Sequence, residues 1–138
     1  MSPKYLSAVL LALATLSCAA PGGRNGTRPG VTALDQGASG RRVELSQGER
    51  LTVLLKGNPT TGFVWEVLPG SEPVLMQQGA ARFTPASSLP GAGGSYLFTF
   101  QAQQPGSALL HLVYRRPFAR EAAPAGSFEV TVVVGKAP

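Results

Sequence analysis

The chain of 138 residues has one cysteine, Cys18, and one histidine, His111. A single thiol closes no disulfide within the chain, so a folded domain here must be held by its core. A metal site is also not expected, because there is no second Cys or His to converge on an ion. Acidic residues are few. Asp and Glu together number 7, and no two stand at a spacing that suggests a general acid paired with a general base. His111 sits inside an apolar run, and no serine occupies a G-x-S-x-G elbow that it could activate. A strand histidine facing solvent is therefore expected. No cofactor is expected either, since Gly91-Ala92-Gly93-Gly94 opens no helix and lacks phosphate-loop spacing. An enzyme is the least favoured class.

Charge is sparse and dispersed. Lys and Arg number 12 and the net charge is +5, yet no basic run is longer than two residues. Nucleic-acid recognition needs a clustered basic stripe, and no recognition helix lies beside these residues, so that partner class is set aside. The charge fits a solvated surface with a mild bias toward acidic partners.

Long apolar runs are missing too. The longest, Tyr5 to Leu16, is too short to stay in a bilayer as a helix. It follows Lys4 and ends in small residues, which is the pattern of an export signal over residues 1–17. Cys18 directly after it resembles the lipobox of bacterial lipoproteins, whose cysteine becomes the lipidated first residue. Thr15 stands where such boxes prefer an aliphatic residue, and ordinary cleavage near Ala19 or Ala20 is the alternative. Either route implies an exported protein, periplasmic or at the cell surface, touching a membrane only through an amino-terminal lipid on Cys18. Residues 18–40 are rich in Gly, Pro, Arg, Asn and Thr with little that is large and apolar, and read as a flexible tether. Residues 41–138 read as one domain, acting as a monomer.

The domain lacks helical periodicity. No window of helical length places apolar residues at three-and-four spacing without a Gly or Pro inside it. With 17 Gly and 12 Pro, turns are frequent. Between them stand short apolar runs: Val43–Leu45, Leu51–Lys56, Phe63–Leu68, Tyr96–Gln101, Ser107–Tyr114 and Phe128–Val134, with weaker candidates at Val74–Met76 and Ala81–Phe83. Alternation puts Leu51, Val53 and Leu55 on one face. It does the same for Leu110, Leu112 and Tyr114, and for Phe128, Val130, Val132 and Val134. Period-two patterns with one apolar face predict sheets that bury one side. The expected fold is all-β, an immunoglobulin-like β-sandwich of about seven strands without a disulfide.

Three connections stand out. In Gly57-Asn58-Pro59-Thr60-Thr61-Gly62, Pro59 fixes its own φ and pushes Asn58 into an extended conformation, and Gly62 suits a positive φ where the chain re-enters a strand. Glycines as dense as Gly91, Gly93 and Gly94 mark either a flexible link or a place where another backbone comes close. Arg115-Arg116-Pro117-Phe118 offers two cations, a rigid residue and an aromatic on a loop, a composition common at binding hot spots. Each is also compatible with a plain turn, and Phe118 with a ring folded back onto the sandwich.

In this order and spacing, Asn58-Pro59-Thr60-Thr61-Gly62-Phe63, Gly91-Ala92-Gly93-Gly94 and Arg116-Pro117-Phe118 resemble the chagasin family of cysteine peptidase inhibitors. Trp65, shortly after the first motif, is similar to the family's strand pattern. The resemblance spans about residues 41–135 and departs at Phe118, where Trp is commoner; Phe keeps an apolar ring but loses area and the indole N–H. It implies a reversible, competitive, non-covalent inhibitor of papain-like cysteine peptidases that inserts three loops into the active-site cleft. Thr60 and Thr61 would face the catalytic thiol, with Phe118 against an aromatic wall and Arg116 near polar or acidic groups. The alternative is an extracellular binding or scaffolding module of the same fold that inhibits nothing.

Overall fold

The structure, a computed structural model, describes residues 30–136. The expected export signal, Cys18 and the first part of the expected tether lie outside the described residues. Nine strands form two sheets among the described residues: β1 (Val31–Asp35), β2 (Arg42–Ser46), β3 (Arg50–Gly57), β4 (Val64–Val67), β5 (Leu75–Gln77), β6 (Arg82–Pro85), β7 (Gly94–Ala102), β8 (Gly106–Arg115) and β9 (Gly126–Gly135). One sheet runs β1-β3-β7-β5, with β6 also pairing with β7; the other runs β2-β9-β8-β4. There is no α-helix among the described residues, only two 3₁₀ turns.

The alternation read from the sequence is the alternation of burial. Leu51, Val53 and Leu55 of β3 have no exposed surface, and Phe128, Val130, Val132 and Val134 of β9 face them across the sandwich. Leu110 and Leu112 of β8 complete the inner layer with Phe98, Phe100 and Trp65. Each such side chain contributes about 1.5–3 kcal/mol by leaving water, which lets the domain do without a disulfide. His111 lies on the outer face of β8, opposite Glu129, with its Nδ1 at 3.8 Å from that carboxylate.

Two expectations need correction. The strand number is nine instead of about seven, because both weak candidates are strands and an unexpected one precedes them. That strand, β1, lies within the residues read as tether. It pairs in parallel with β3, from Val31 opposite Arg50 to Asp35 opposite Leu54. Leu34 is its one large residue packed against the core, so its order comes from main-chain pairing that composition does not reveal. Asp35 then caps a 3₁₀ turn, accepting from the Gly37 amide at 2.9 Å. Ala38 is buried, and the chain crosses to β2 on the opposite sheet. Among the described residues, Val31–Asp35 thus belong to the folded sheet although they precede Arg41.

Strand register fixes where the loops go. Gly57, at the end of β3, stands opposite Gly94, the start of β7. Val64, the start of β4, stands opposite Arg115, the end of β8, and Tyr114 stands opposite Gly126, the start of β9. The β3–β4, β6–β7 and β8–β9 connections therefore all leave from one end of the sandwich. Gly94 is needed for the fold itself: a Cβ there would collide with the Thr84 carbonyl oxygen and lie 2.8 Å from both the Phe83 ring and Pro85 Cα. We expect Gly94→Ala to lower the urea unfolding free energy by about 1–3 kcal/mol, as overpacking does; an unchanged midpoint would mean that β6 moves aside freely.

Candidate functional site: three loops at one end of the sandwich

The first loop is built by Asn58. Its φ of −137° and ψ of 105° are extended, as the following proline requires. Its side-chain oxygen accepts from the Thr60 amide at 3.0 Å and from the Thr60 hydroxyl at 2.6 Å. Its carbonyl accepts from the Thr61 hydroxyl at 2.7 Å. Pro59–Thr61 form one 3₁₀ turn, closed by Gly62 at φ 80°, a left-handed conformation in which glycine meets no Cβ clash. Pro59, Thr60 and Thr61 are exposed at the crest.

Asn58 also joins the first loop to the second. Its side-chain nitrogen Nδ2 donates to the Gly91 carbonyl at 3.0 Å, and Gly93 lies alongside the first loop, where a Cβ would sit at contact distance, 3.5 Å, from the Gly57 carbonyl oxygen. The three glycines differ. Gly91 needs its φ of 76° and faces open space, Gly93 has room for a Cβ at ordinary contact with the first loop, and Gly94 admits strand β6. The close backbone approach expected of this motif is thus partly internal to the fold. Leu89, in the same loop, is 72% exposed; an isolated Leu between Ser and Pro carries no periodicity that would mark it in the sequence.

The third loop meets the first through Arg116, whose guanidinium lies 4.6 Å above the Phe63 ring. Such a contact is worth about 0.5–1 kcal/mol at exposed sites. Phe63 is half-buried against Tyr114, with ring centroids 5.4 Å apart. The two arginines part here. Arg115 is turned to Glu66, with Nη2 and Nε at 2.9 and 3.0 Å from the same carboxylate oxygen, so only Arg116 is left exposed at the crest. Pro117 is exposed, and Phe118 is 81% exposed, so its ring does not fold back onto the sandwich. All twelve candidate residues, from Asn58 to Phe63, Gly91, Gly93, Gly94 and Arg116 to Phe118, lie at the same end.

Beneath the crest lie aromatic residues whose sequence pattern marks them only as strand residues. Trp65 donates from Nε1 to the Lys56 carbonyl at 3.0 Å and packs on Tyr114 with centroids 5.1 Å apart and the rings tilted by 32°. The Tyr114 hydroxyl oxygen accepts from the Asn58 amide at 2.8 Å. Tyr96 packs on Phe83; its buried hydroxyl has no protein partner. Burial, and then the neighbouring Tyr114, push that phenol above its ordinary range. A tyrosine at the loop end of an alternating strand is the one signal that would have pointed to this layer. Among the described residues no group of three or more His, Cys, Asp or Glu is placed to hold a metal.

Comparison with known proteins agrees with this architecture. The family model for chagasin family peptidase inhibitors matches residues 44–132. Amoebiasin-1 of Entamoeba histolytica is 34% identical over 80 residues, covering 58% of this chain and 78% of the relative. Chagasin of Trypanosoma cruzi is 31% identical over 84 residues, covering 58% and 76%. Among solved structures, a cysteine protease inhibitor from Entamoeba histolytica superposes with a TM-score of 0.68 at 17% identity, over 77% of this chain and 96% of that one, which shows the fold. The solution structure of Amebosin gives 0.60 at 28% identity, over 78% and 99%.

Since Asn58 holds both its own loop and the glycine loop, Asn58→Ala is expected to cost about 1 kcal/mol, the scale of a lost side-chain cap. The Thr60 amide should exchange faster with solvent while the core amides keep their protection; unchanged Thr60 exchange would show that Pro59 alone orders the loop.

Proposed function

Because the chain belongs to the chagasin family of peptidase inhibitors, we propose that it blocks papain-like cysteine peptidases reversibly, competitively and without a covalent bond, by inserting its three-loop end into their active-site cleft. It is an inhibitor and not an enzyme. One observation carries the mode of action: Asn58 fixes the central loop internally and ties it to the glycine loop, while Phe118 beside them stays exposed.

In this reading Thr60 and Thr61 cover the catalytic thiol. A loop facing a nucleophile escapes cleavage when its carbonyls are held out of attack geometry. The 3₁₀ turn and the Asn58 hydrogen bonds supply that restraint. Order before binding also lowers the entropy lost on association. Phe118 and Leu89 are the two large exposed apolar side chains in these loops, and they act as anchors on the cleft walls. Pro117 stiffens the loop that carries Phe118. Arg116, raised by its stacking on Phe63, meets acidic or polar groups of the enzyme. Gly91 and Gly93 bring main chain to the enzyme surface, whereas Gly62, Phe63 and Gly94 shape the loops from within. The protein works as a monomer.

The same proposal places it outside the cytoplasm, held at a bacterial membrane by a lipid on Cys18, with the target in the periplasm or at the cell surface. The support is the export-signal pattern before that residue. Mass spectrometry of the mature amino terminus decides it: an unmodified Cys18 or a start at Pro21 rules the anchor out.

Titration against papain tests inhibition. Thr61→Arg, or deletion of residues 58–62, is expected to raise the inhibition constant while thermal unfolding remains cooperative. Phe118→Ala should weaken binding by about 1–3 kcal/mol, the range for a truncated aromatic anchor. Undiminished inhibition after the deletion would remove the central loop from the mechanism, and no inhibition by the parent protein would leave a binding module of the same fold.

A further inference from the structure

We propose that the Tyr114 hydroxyl is the positioning group that keeps the central loop from being cleaved by the peptidase it blocks, an inference that rests on the inhibitor reading above. The ring is fixed from two sides, with Trp65 at 5.1 Å and Phe63 at 5.4 Å between centroids. Gly57 leaves room for both tyrosines, since a Cβ at that position would lie 2.8 Å from Tyr96 Cε2 and 3.2 Å from Tyr114 Cε2. The phenol oxygen so held accepts from the Asn58 amide at 2.8 Å, and its O–H is directed to the Asn58 carbonyl at 3.4 Å. A phenol both donates and accepts, so one group addresses both main-chain polar atoms of the residue that builds the loop.

Both side-chain ends of Asn58 are already engaged, its oxygen with Thr60 and its nitrogen with the Gly91 carbonyl. Fixing its backbone therefore fixes two loops at once. The third loop starts two residues after Tyr114 in the chain. Loss of the hydroxyl leaves the part-buried Asn58 amide without this partner, which favours conformations in which the loop reaches water. Mobile exposed segments are the ones that peptidases cut. A loosened 58–62 loop would then be hydrolysed as a substrate, water adding across one peptide bond to give a carboxylate and an amine.

The structure supplies a matched control. Tyr96 is a neighbouring phenol whose hydroxyl has no protein partner, so Tyr96→Phe removes the same atom with nothing released. The test uses the full chain in three forms, the parent, Tyr114→Phe and Tyr96→Phe, each incubated with papain. Tyr114→Phe is expected to raise the inhibition constant about tenfold, on the scale of one lost hydrogen bond. Its inhibition should also fade over hours as mass spectrometry finds a cut within residues 58–62. Tyr96→Phe should match the parent in both respects. Amide exchange at Asn58, measured without papain, should speed up only in Tyr114→Phe. An uncleaved Tyr114→Phe, or equal cleavage of Tyr96→Phe, overturns the proposal. If the parent does not inhibit papain, the functional reading falls, and the Asn58 amide alone decides the positioning role: unchanged exchange refutes it. Should Tyr114→Phe unfold, Asn58→Ala gives the second reading: it removes the side-chain hydrogen bonds but keeps both backbone contacts to Tyr114, so the variant should resist papain, and cutting within 58–62 would refute the proposal.

Discussion

Cross-strand register is the constraint from which the rest of this molecule follows. With Gly57 opposite Gly94 and Val64 opposite Arg115, three connections far apart in sequence are delivered to one end of the sandwich. A slip of one residue in either pair would turn every buried side chain of that strand toward water. Burial of Leu51, Val53, Leu55, Leu110 and Leu112 thus specifies loop position as firmly as it specifies stability. The three-loop end inherits its geometry from the core.

What the register cannot do is shape the loops themselves. That falls to a small polar set around Asn58, on a base of closely packed aromatic rings. Individually these hydrogen bonds contribute little, about 0.5–1.5 kcal/mol each, and most lie where water competes. Their value lies in direction: they hold one backbone arrangement among several of similar energy. The rings beneath, Trp65 buried and Phe63 and Tyr114 half-buried, give that network something rigid to attach to. Glu66 does a comparable service for the third loop by engaging Arg115, which separates the two adjacent arginines into one that braces and one that is presented.

Much of this could be read in the sequence, because it depends on local chemistry. The period-two runs in β3, β8 and β9 state which side is buried. Asn58-Pro59 states an extended residue followed by a fixed φ, and Gly62 states a left-handed turn; both are found as read. The short β1 was not legible, since its order comes from hydrogen bonding to a distant strand and only Leu34 among its residues packs on the core. Nor was the difference among the three glycines. Gly94 is dictated by Phe83, Thr84 and Pro85, neighbours that only folding brings near. The bracing by Tyr114 was hidden for the same reason, because its partner Asn58 stands 56 residues earlier.

The parallel pairing of β1 has a practical meaning for anyone trimming this protein. β3 carries Leu51 to Leu55, an unbroken aliphatic and β-branched stretch, and β1 covers one of its two edges. A fragment begun at Arg41 would bare that row of main-chain donors and acceptors, and uncovered edges of this kind recruit strands from other molecules. Such a fragment would keep every residue of the three loops and still be prone to precipitate, so β1 has to be retained for soluble handling.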